Sequence, residues 1–329
     1  MCLFYAIFIN SSSIIVVAWC KVKAGGYRFP PWLSGLYEGD GKVMPVKLIA
    51  FDLDGTLLDG RKTIPEANLQ ALKDAARAGA LLVPATGRLY TGIPEQLRSL
   101  PGARYFITIN GAYAYDAVDD RNLYTSELSV DTCLRLIDYM DRLPVIYDCY
   151  QDNWGYISRS MFQRAGDFIP DPGVMKMMRE LRTPVDDLAE TLRQKGRPVQ
   201  KMQMHFQDLA ERDRQLKLVA EQFPETAISS SLPWNIEINS AGATKGQALK
   251  ALCAALGIDL ADVLAFGDGT NDLDMIRTAG TGVAMDNAAA EVKAAADWIA
   301  PSNIDCGVAA GIRRFMEIDR SSYGLHDSI

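Results

Sequence analysis

The string Asp52-Leu53-Asp54-Gly55-Thr56, set directly behind the apolar run Val46-Lys47-Leu48-Ile49-Ala50-Phe51, constrains the fold of this chain more than any other feature. A short β-prone run ended by Asp and Gly reads as a buried parallel strand that delivers two carboxylates to a turn. In open α/β sheets, ligand sites lie at the carboxyl ends of such strands. Two carboxylates crowded at an apolar strand end repel each other and lose hydration unless a cation or a proton is shared. Spacing excludes the nearest rivals. An EF-hand loop needs oxygen ligands at its first, third and fifth positions and Glu at its twelfth, but Gly55 comes early and Thr63 takes the twelfth place. A Walker loop fails too, because Gly35 and the Gly41-Lys42 pair are out of register and Val43 replaces Ser or Thr. No Gly-x-Gly-x-x-Gly follows a strand in the manner of a dinucleotide-binding turn.

From Met44 onward, strand and helix patterns alternate. Pro65 opens a helix carrying Leu69, Leu72 and Ala76, and Gly79 stops it. The run Ala80–Ala85 reads as a strand ending at Thr86-Gly87-Arg88. A helix through about Ser99 and a strand over Arg104–Ile109, ending at Asn110-Gly111, complete a β-α-β-α-β order. That order implies a parallel, doubly wound sheet. The alternation returns with a helix after Lys245 and a strand Val263–Phe266 ending in Gly267-Asp268-Gly269-Thr270-Asn271-Asp272. Between them the style changes. Residues 127–239 combine helices such as Leu209–Gln222 with amphipathic strands such as Val145–Tyr150, Gln200–Phe206 and Trp234–Ile238. The expectation is an α/β core in two halves, 44–126 and 240–329, with an α+β domain over 127–239 inserted between them.

The 329 residues carry a net charge of -7, which argues against a nucleic-acid partner. Six scattered cysteines without Cys-x-x-Cys or Cys/His spacing point to reduced thiols in a cytoplasmic protein. Two histidines, His205 and His326, give almost no material for a His-rich metal site or a Ser-His-Asp triad. Residues 1–43 stand apart. Their apolar start is broken by Asn10-Ser11-Ser12-Ser13 and has no basic lead, so neither a secretory signal nor a membrane span is well satisfied. Met44 reads as an alternative start, with the segment before it an overextended translation, an inert tail or a weak anchor.

Four loop clusters fall at four expected strand ends, and they divide one reaction among them. A phosphate monoester resists attack because its charged oxygens repel nucleophiles and its alkoxide leaves poorly; Mg²⁺ held by a few carboxylates offsets both. Asp52 can serve as a nucleophile that is already ionised at neutral pH. Asp54 can protonate the leaving oxygen and then take a proton from the attacking water. Thr86 and nearby N–H groups can bind phosphoryl oxygens, Lys245 can offset charge, and Asp268 completes a metal shell with Asp272 as ligand or orienter. Gly87, Arg88, Asn110 and Asn271 are the expected substrate-binding positions.

In this arrangement the chain resembles the haloacid dehalogenase-like hydrolases, in their Cof-type branch with an inserted α+β cap. The resemblance runs from about Met44 to Arg320 and rests on Asp52-Leu53-Asp54-Gly55-Thr56-Leu57-Leu58, Thr86-Gly87-Arg88, Asn110-Gly111-Ala112, Lys245-Gly246 and Gly267 through Ile276. It implies Asp52 as nucleophile, Asp54 as acid/base, and Asp52, the Asp54 carbonyl and Asp268 as Mg²⁺ ligands. Asp at position 54, rather than Thr, Ala or Ser, favours a phosphatase over a dehalogenase or a phosphonate cleaver. Leu89 and Asp286 depart from the pattern, Asp286 by placing a carboxylate where Gly is usual.

The resulting expectation is a Mg²⁺-dependent phosphatase acting on small phosphorylated metabolites, such as sugar phosphates, flavin mononucleotide or pyridoxal phosphate. A phosphoryl transferase or mutase shares the first half-reaction, and a non-catalytic sensor would have no need of the acid/base. Substrate choice is expected to lie with the inserted domain, for which Trp154, Tyr156 and Arg159 are candidates. No membrane partner is expected, and the oligomeric state is not legible.

Overall fold

The runs Leu48–Phe51 and Val263–Gly267, far apart in sequence, lie side by side as the two inner strands of one parallel sheet. A computed structural model describes residues 46–316, together with the backbone of two strands, Phe4–Ile7 and Ile15–Ala18, which pair antiparallel. The readings made for the rest of residues 1–43, and for residues beyond 316, lie outside the described residues.

The parallel sheet has the order Trp298–Ala300, Thr281–Met285, Val263–Gly267, Leu48–Phe51, Leu81–Pro84. Every residue of Leu48–Phe51 is buried, which is why that strand reads as a continuous apolar run rather than an alternating one. Each large apolar side chain withdrawn from water there contributes roughly 1.5–3 kcal/mol. A single bridge from Ala85 to Ile107 carries the parallel direction on to Tyr105–Thr108. That strand then turns into an antiparallel sheet with Tyr113–Asp116 and Arg121–Thr125. The helix Glu66–Arg77 buries Leu69, Leu72 and Ala75. The helix expected up to Ser99 is shorter, a 3-10 turn at Tyr90–Gly92 and one turn of helix at Glu95–Arg98. Pro94 separates the two because it cannot sit inside a helix.

A second sheet has six strands in the order Arg182–Val185, Trp154–Ser158, Val145–Gln151, Lys201–Phe206, Asn235–Ser240, Thr226–Ser229. Its two faces differ. Tyr147, Cys149, Met202, Met204, Ile236 and Ile238 point to one side, into a core closed by the helices Val130–Met140, Leu188–Lys195 and Leu209–Gln222. The alternate residues, among them Asp148, Lys201, Gln203 and Glu237, point to the other side and are just as buried. Tyr150, on that polar side, packs against Leu89, Ile109 and Tyr113 of the first sheet's loops. The polar face therefore meets the carboxyl ends of the parallel strands. The chain is an α/β protein, a doubly wound parallel sheet with an inserted α+β cap.

Candidate active site

Asp52 and Asp268 are brought together by strand pairing. Each is the first residue past its strand, and the Asp52 N–H donates to the Phe266 carbonyl at 3.0 Å. Gly55 makes room between them. Its φ of 89° is one that L side chains resist, and any Cβ there would run into the Asp268 carboxylate. Thr56 Oγ1 donates to Asp268 Oδ1 at 2.7 Å. Asn287 Nδ2 braces the same turn at the Gly55 carbonyl, at 2.8 Å.

Lys245 opens the helix Lys245–Leu256, behind the cap residue Thr244. A cation at a helix N-terminus opposes the helix dipole, so its place there has to be offset by anions. Its fully buried ammonium donates to Asp52 Oδ1 at 2.6 Å and to Asp272 Oδ1 at 2.5 Å. Asp272 Oδ2 accepts from the N–H groups of Asp268 and Gly269, at 3.0 and 2.9 Å. With both oxygens engaged, Asp272 acts as an orienter of Lys245 and of the loop. Burial pushes the Asp52 carboxyl well above the ordinary range and outweighs Lys245, with Asp272, Asp268 and Asp54 adding to the rise. Asp268 is pushed up to about 6, by burial first and by Asp272 second. One ammonium among these acids leaves a surplus of negative charge.

One carboxylate oxygen from each of Asp52, Asp268 and Asp272 lies within 4.8 Å of the other two. Three hard oxygen donors crowded together fit a divalent cation such as Mg²⁺.

Asp54 lies at the rim, partly exposed and outside that three-acid group. Arg88 grips it in a fork, Nε to Oδ2 at 2.8 Å and Nη2 to Oδ1 at 2.7 Å, and Lys62 adds a contact at 2.6 Å. Burial works to raise the Asp54 carboxyl, but Arg88 and Lys62 together hold it below the ordinary range. Thr86 is buried, and its Oγ1 accepts from the Arg88 N–H at 3.2 Å. Asn110 and Gly111 form a hairpin turn between Tyr105–Thr108 and Tyr113–Asp116, and they belong to the site as well. Ile109 and Asn110 both have positive φ, 53° and 58°. A β-branched residue there is strained by about 1–3 kcal/mol, a form of strain that clusters at functional sites. Asn110 Oδ1 accepts from Asn271 Nδ2 at 3.3 Å, and its Nδ2 donates to Glu237 Oε2 of the cap at 2.5 Å.

The structure thus gathers Asp52, Lys245, Asp268 and Asp272 in one cluster, with Asp54, Thr86, Gly87, Arg88, Asn110 and Asn271 around it. Sequence reasoning missed Lys62, Asn287 and the cap residues Lys201, Glu237 and Asn239. Lys201 Nζ reaches the Gly87 carbonyl at 3.2 Å, and Asn239 Nδ2 reaches the Ile109 carbonyl at 3.2 Å. The three proposed cap candidates lie elsewhere. Trp154 bonds Thr183, Tyr156 packs on the helix-covered side of the cap sheet, and Arg159 pairs with exposed Asp186. Asp286 is an exposed turn residue paired with Lys293.

The chain is similar to known proteins over most of its length. A model of the haloacid dehalogenase-like hydrolase family matches residues 49–312. The 5-amino-6-(5-phospho-D-ribitylamino)uracil phosphatase YcsE of Bacillus subtilis is 31% identical, over 82% of this chain and 96% of its own. The pyridoxal phosphate phosphatase YbhA of Escherichia coli is 32% identical, over 81% and 97%. A haloacid dehalogenase-like hydrolase of Bacteroides thetaiotaomicron superposes with a TM-score of 0.69 at 26% identity, covering 82% of this chain and all of that one. The chain belongs to the haloacid dehalogenase-like hydrolases, and within them it is a phosphoric monoester hydrolase. No helix among the described residues is long and apolar enough to cross a membrane.

Proposed function

We propose that this chain hydrolyses small phosphorylated metabolites, sugar phosphates or phosphorylated cofactors, through an aspartyl-phosphate on Asp52. The observation that carries the proposal is the buried bridge of Lys245 between Asp52 and Asp272 beside Asp268. In the first step an Asp52 oxygen attacks phosphorus, the ester P–O bond breaks, and the leaving oxygen takes a proton from Asp54. In the second, water attacks the same phosphorus, gives its proton to Asp54, and the bond to Asp52 breaks to release inorganic phosphate. Mg²⁺, when held by Asp52, Asp268 and the Asp54 carbonyl, supplies charge neutralisation to the phosphoryl group.

Lys245 fixes the Asp52 carboxylate for attack, and Asp272 fixes Lys245. Thr86 keeps its hydroxyl hydrogen for a phosphoryl oxygen, since Oγ1 already accepts from Arg88. Gripped by Arg88 and Lys62, Asp54 stays ionised but is a weakened base, so the grip has to loosen for it to take a proton in the second step. Its acid role in the first requires the guanidinium to pass to the phosphoryl oxygens, which is the substrate-binding role expected of Arg88. Residues 127–239 act as the cap that excludes water. The free thiols of Cys133, Cys149, Cys253 and Cys306 suit a cytoplasmic setting.

The test is to quench turnover in acid and to map the digested protein by mass. A phosphoryl group on the peptide holding Asp52, absent in Asp52→Asn, is the expected result. Steady turnover with no such adduct in wild type, or the adduct in Asp52→Asn, overturns the mechanism.

A further inference from the structure

The cap face over the site holds two cations, and each is paired with a carboxylate of its own. Lys201 Nζ has three hydrogens. Its surroundings account for all three: Glu237 Oε1 at 2.9 Å, the Gly87 carbonyl at 3.2 Å, and the face of the Tyr150 ring, whose centre is 4.6 Å away. Arg182 crosses the strand Trp154–Ser158 to reach Asp148 Oδ1 at 2.9 Å and the Tyr150 hydroxyl at 2.7 Å. It does so over Gly155, where a Cβ would collide with the arginine side chain and stand 2.5 Å from the Leu181 carbonyl oxygen. Tyr150 is thereby held between a cation from each flank, Arg182 with its carbon 4.3 Å from the ring centre. Each cation has one buried carboxylate of its own, so the face carries no free positive charge among the described residues.

What the face does leave open is uncharged or acceptor capacity. A carboxylate offers about four lone-pair sites. Those of Glu237 are met by Lys201 and Ser231 on Oε1 and by Asn110 on Oε2, which leaves one on Oε2. That oxygen lies 3.7 Å from the point where a Cβ on Gly87 would stand, against the loop expected to hold the phosphoryl group. On the same side of the sheet, the buried Nδ1 of His205 has no hydrogen-bond partner. Beside the phosphate loop, an oxygen with a lone pair to spare accepts from a hydroxyl, while a second acidic group would lose its water there with no free cation to meet it.

We propose that Glu237 is a specificity-determining residue and that the substrate is a phosphomonoester whose leaving alcohol carries free hydroxyls and no second acidic group. Glu237 Oε2 accepts a hydrogen bond from one of those hydroxyls, and Lys201 holds the carboxylate in place. The inference rests on the phosphatase reading and narrows its substrate class.

Three matched esters test it: ribitol 5-phosphate, pentyl phosphate with the same carbon chain and no hydroxyl, and 5-phosphoribonate with a terminal carboxylate. For wild type with Mg²⁺, the expected kcat/KM for ribitol 5-phosphate exceeds that of each of the other two by at least tenfold, on the order expected when a buried polar group is left unpaired. Glu237→Leu alone leaves Lys201 buried without its anion, so the paired variant Lys201→Met/Glu237→Leu, which removes both charges and the acceptor, is measured beside it. In the paired variant the preference for ribitol 5-phosphate over pentyl phosphate collapses. Equal or faster hydrolysis of pentyl phosphate or 5-phosphoribonate by wild type overturns the inference while leaving the phosphatase reading intact, as does a preference that survives the paired variant. Phosphate release from none of the three overturns the inference, and release from none of these, pyridoxal phosphate and flavin mononucleotide either overturns the phosphatase reading as well.

Discussion

Lys245 pairs with two carboxylates beside a third, Asp268, whereas on the cap sheet each of the buried cations Arg182 and Lys201 pairs with one. Both regions take charge out of water, but only the first leaves it unbalanced. The desolvation penalty of a buried ion is several kcal/mol unless a partner offsets it. The cap pairs therefore look after themselves, and the loop cluster waits for an outside cation. The pKa directions follow the same division. Burial, with Asp272 adding to it, lifts Asp268 to about 6, while Asp148, more deeply buried, is drawn down to about 2. Surplus charge marks where a ligand completes the protein, and balanced charge marks a surface that sorts what lies next to it.

The sharpest way to break this comparison is to remove one acid from each region. Asp52→Asn should lower phosphate release by about 10⁴-fold or more, the scale seen when a nucleophile is lost, with an unchanged circular-dichroism spectrum because Lys245 keeps Asp272. Turnover within tenfold of wild type would remove Asp52 from the chemistry.

On stability the order reverses. Asp148→Ala strands the Arg182 guanidinium and should cost about 3–5 kcal/mol in denaturant unfolding. Asp268→Asn, in metal-free protein, relieves crowding and should hold stability or gain about 1 kcal/mol. Equal losses from the two would erase the distinction. Gly155→Ala, which pushes Arg182 off its track, should cost about 2–3 kcal/mol, as overpacking does. The readout is the same unfolding curve.

A further effect is one of pH. Burial alone would raise Asp148, but Arg182, His205 and Gln203 outweigh it, with the Tyr150 hydroxyl on the far side of Arg182. Its folded pKa lies below the unfolded value of about 3.9, so the stability it contributes is present above about pH 4. That share, roughly 2 kcal/mol, is lost as pH falls from about 4 to about 2. Unfolding curves of wild type and Asp148→Asn should converge over that window. Parallel curves would show that Asp148 is not the group concerned.

Much of the core was legible because its signals are local. Leu48–Phe51 is apolar throughout, its motif follows at once, and the helix Glu66–Arg77 falls where Pro65 and Gly79 place it. The cap strands were legible as strands, and their use was not. Lys201-Met202-Gln203-Met204-His205 alternates like any half-exposed strand, and alternation alone assigns the polar side to water. That side is buried because another part of the chain covers it, a fact of tertiary packing. The choice of Trp154, Tyr156 and Arg159 failed for a related reason. Which side of a strand looks into the cleft depends on register, and Tyr156 sits opposite Cys149 on the helix side.

The central claim is that the unbalanced cluster needs a divalent cation to move a phosphoryl group through Asp52. The measurement is phosphate release from ribitol 5-phosphate as Mg²⁺ is titrated into metal-stripped protein, wild type beside Asp52→Asn. The account predicts no release without the cation, a saturable return of activity with it in wild type, and none in Asp52→Asn. Release that ignores Mg²⁺, or that survives in Asp52→Asn, would contradict it.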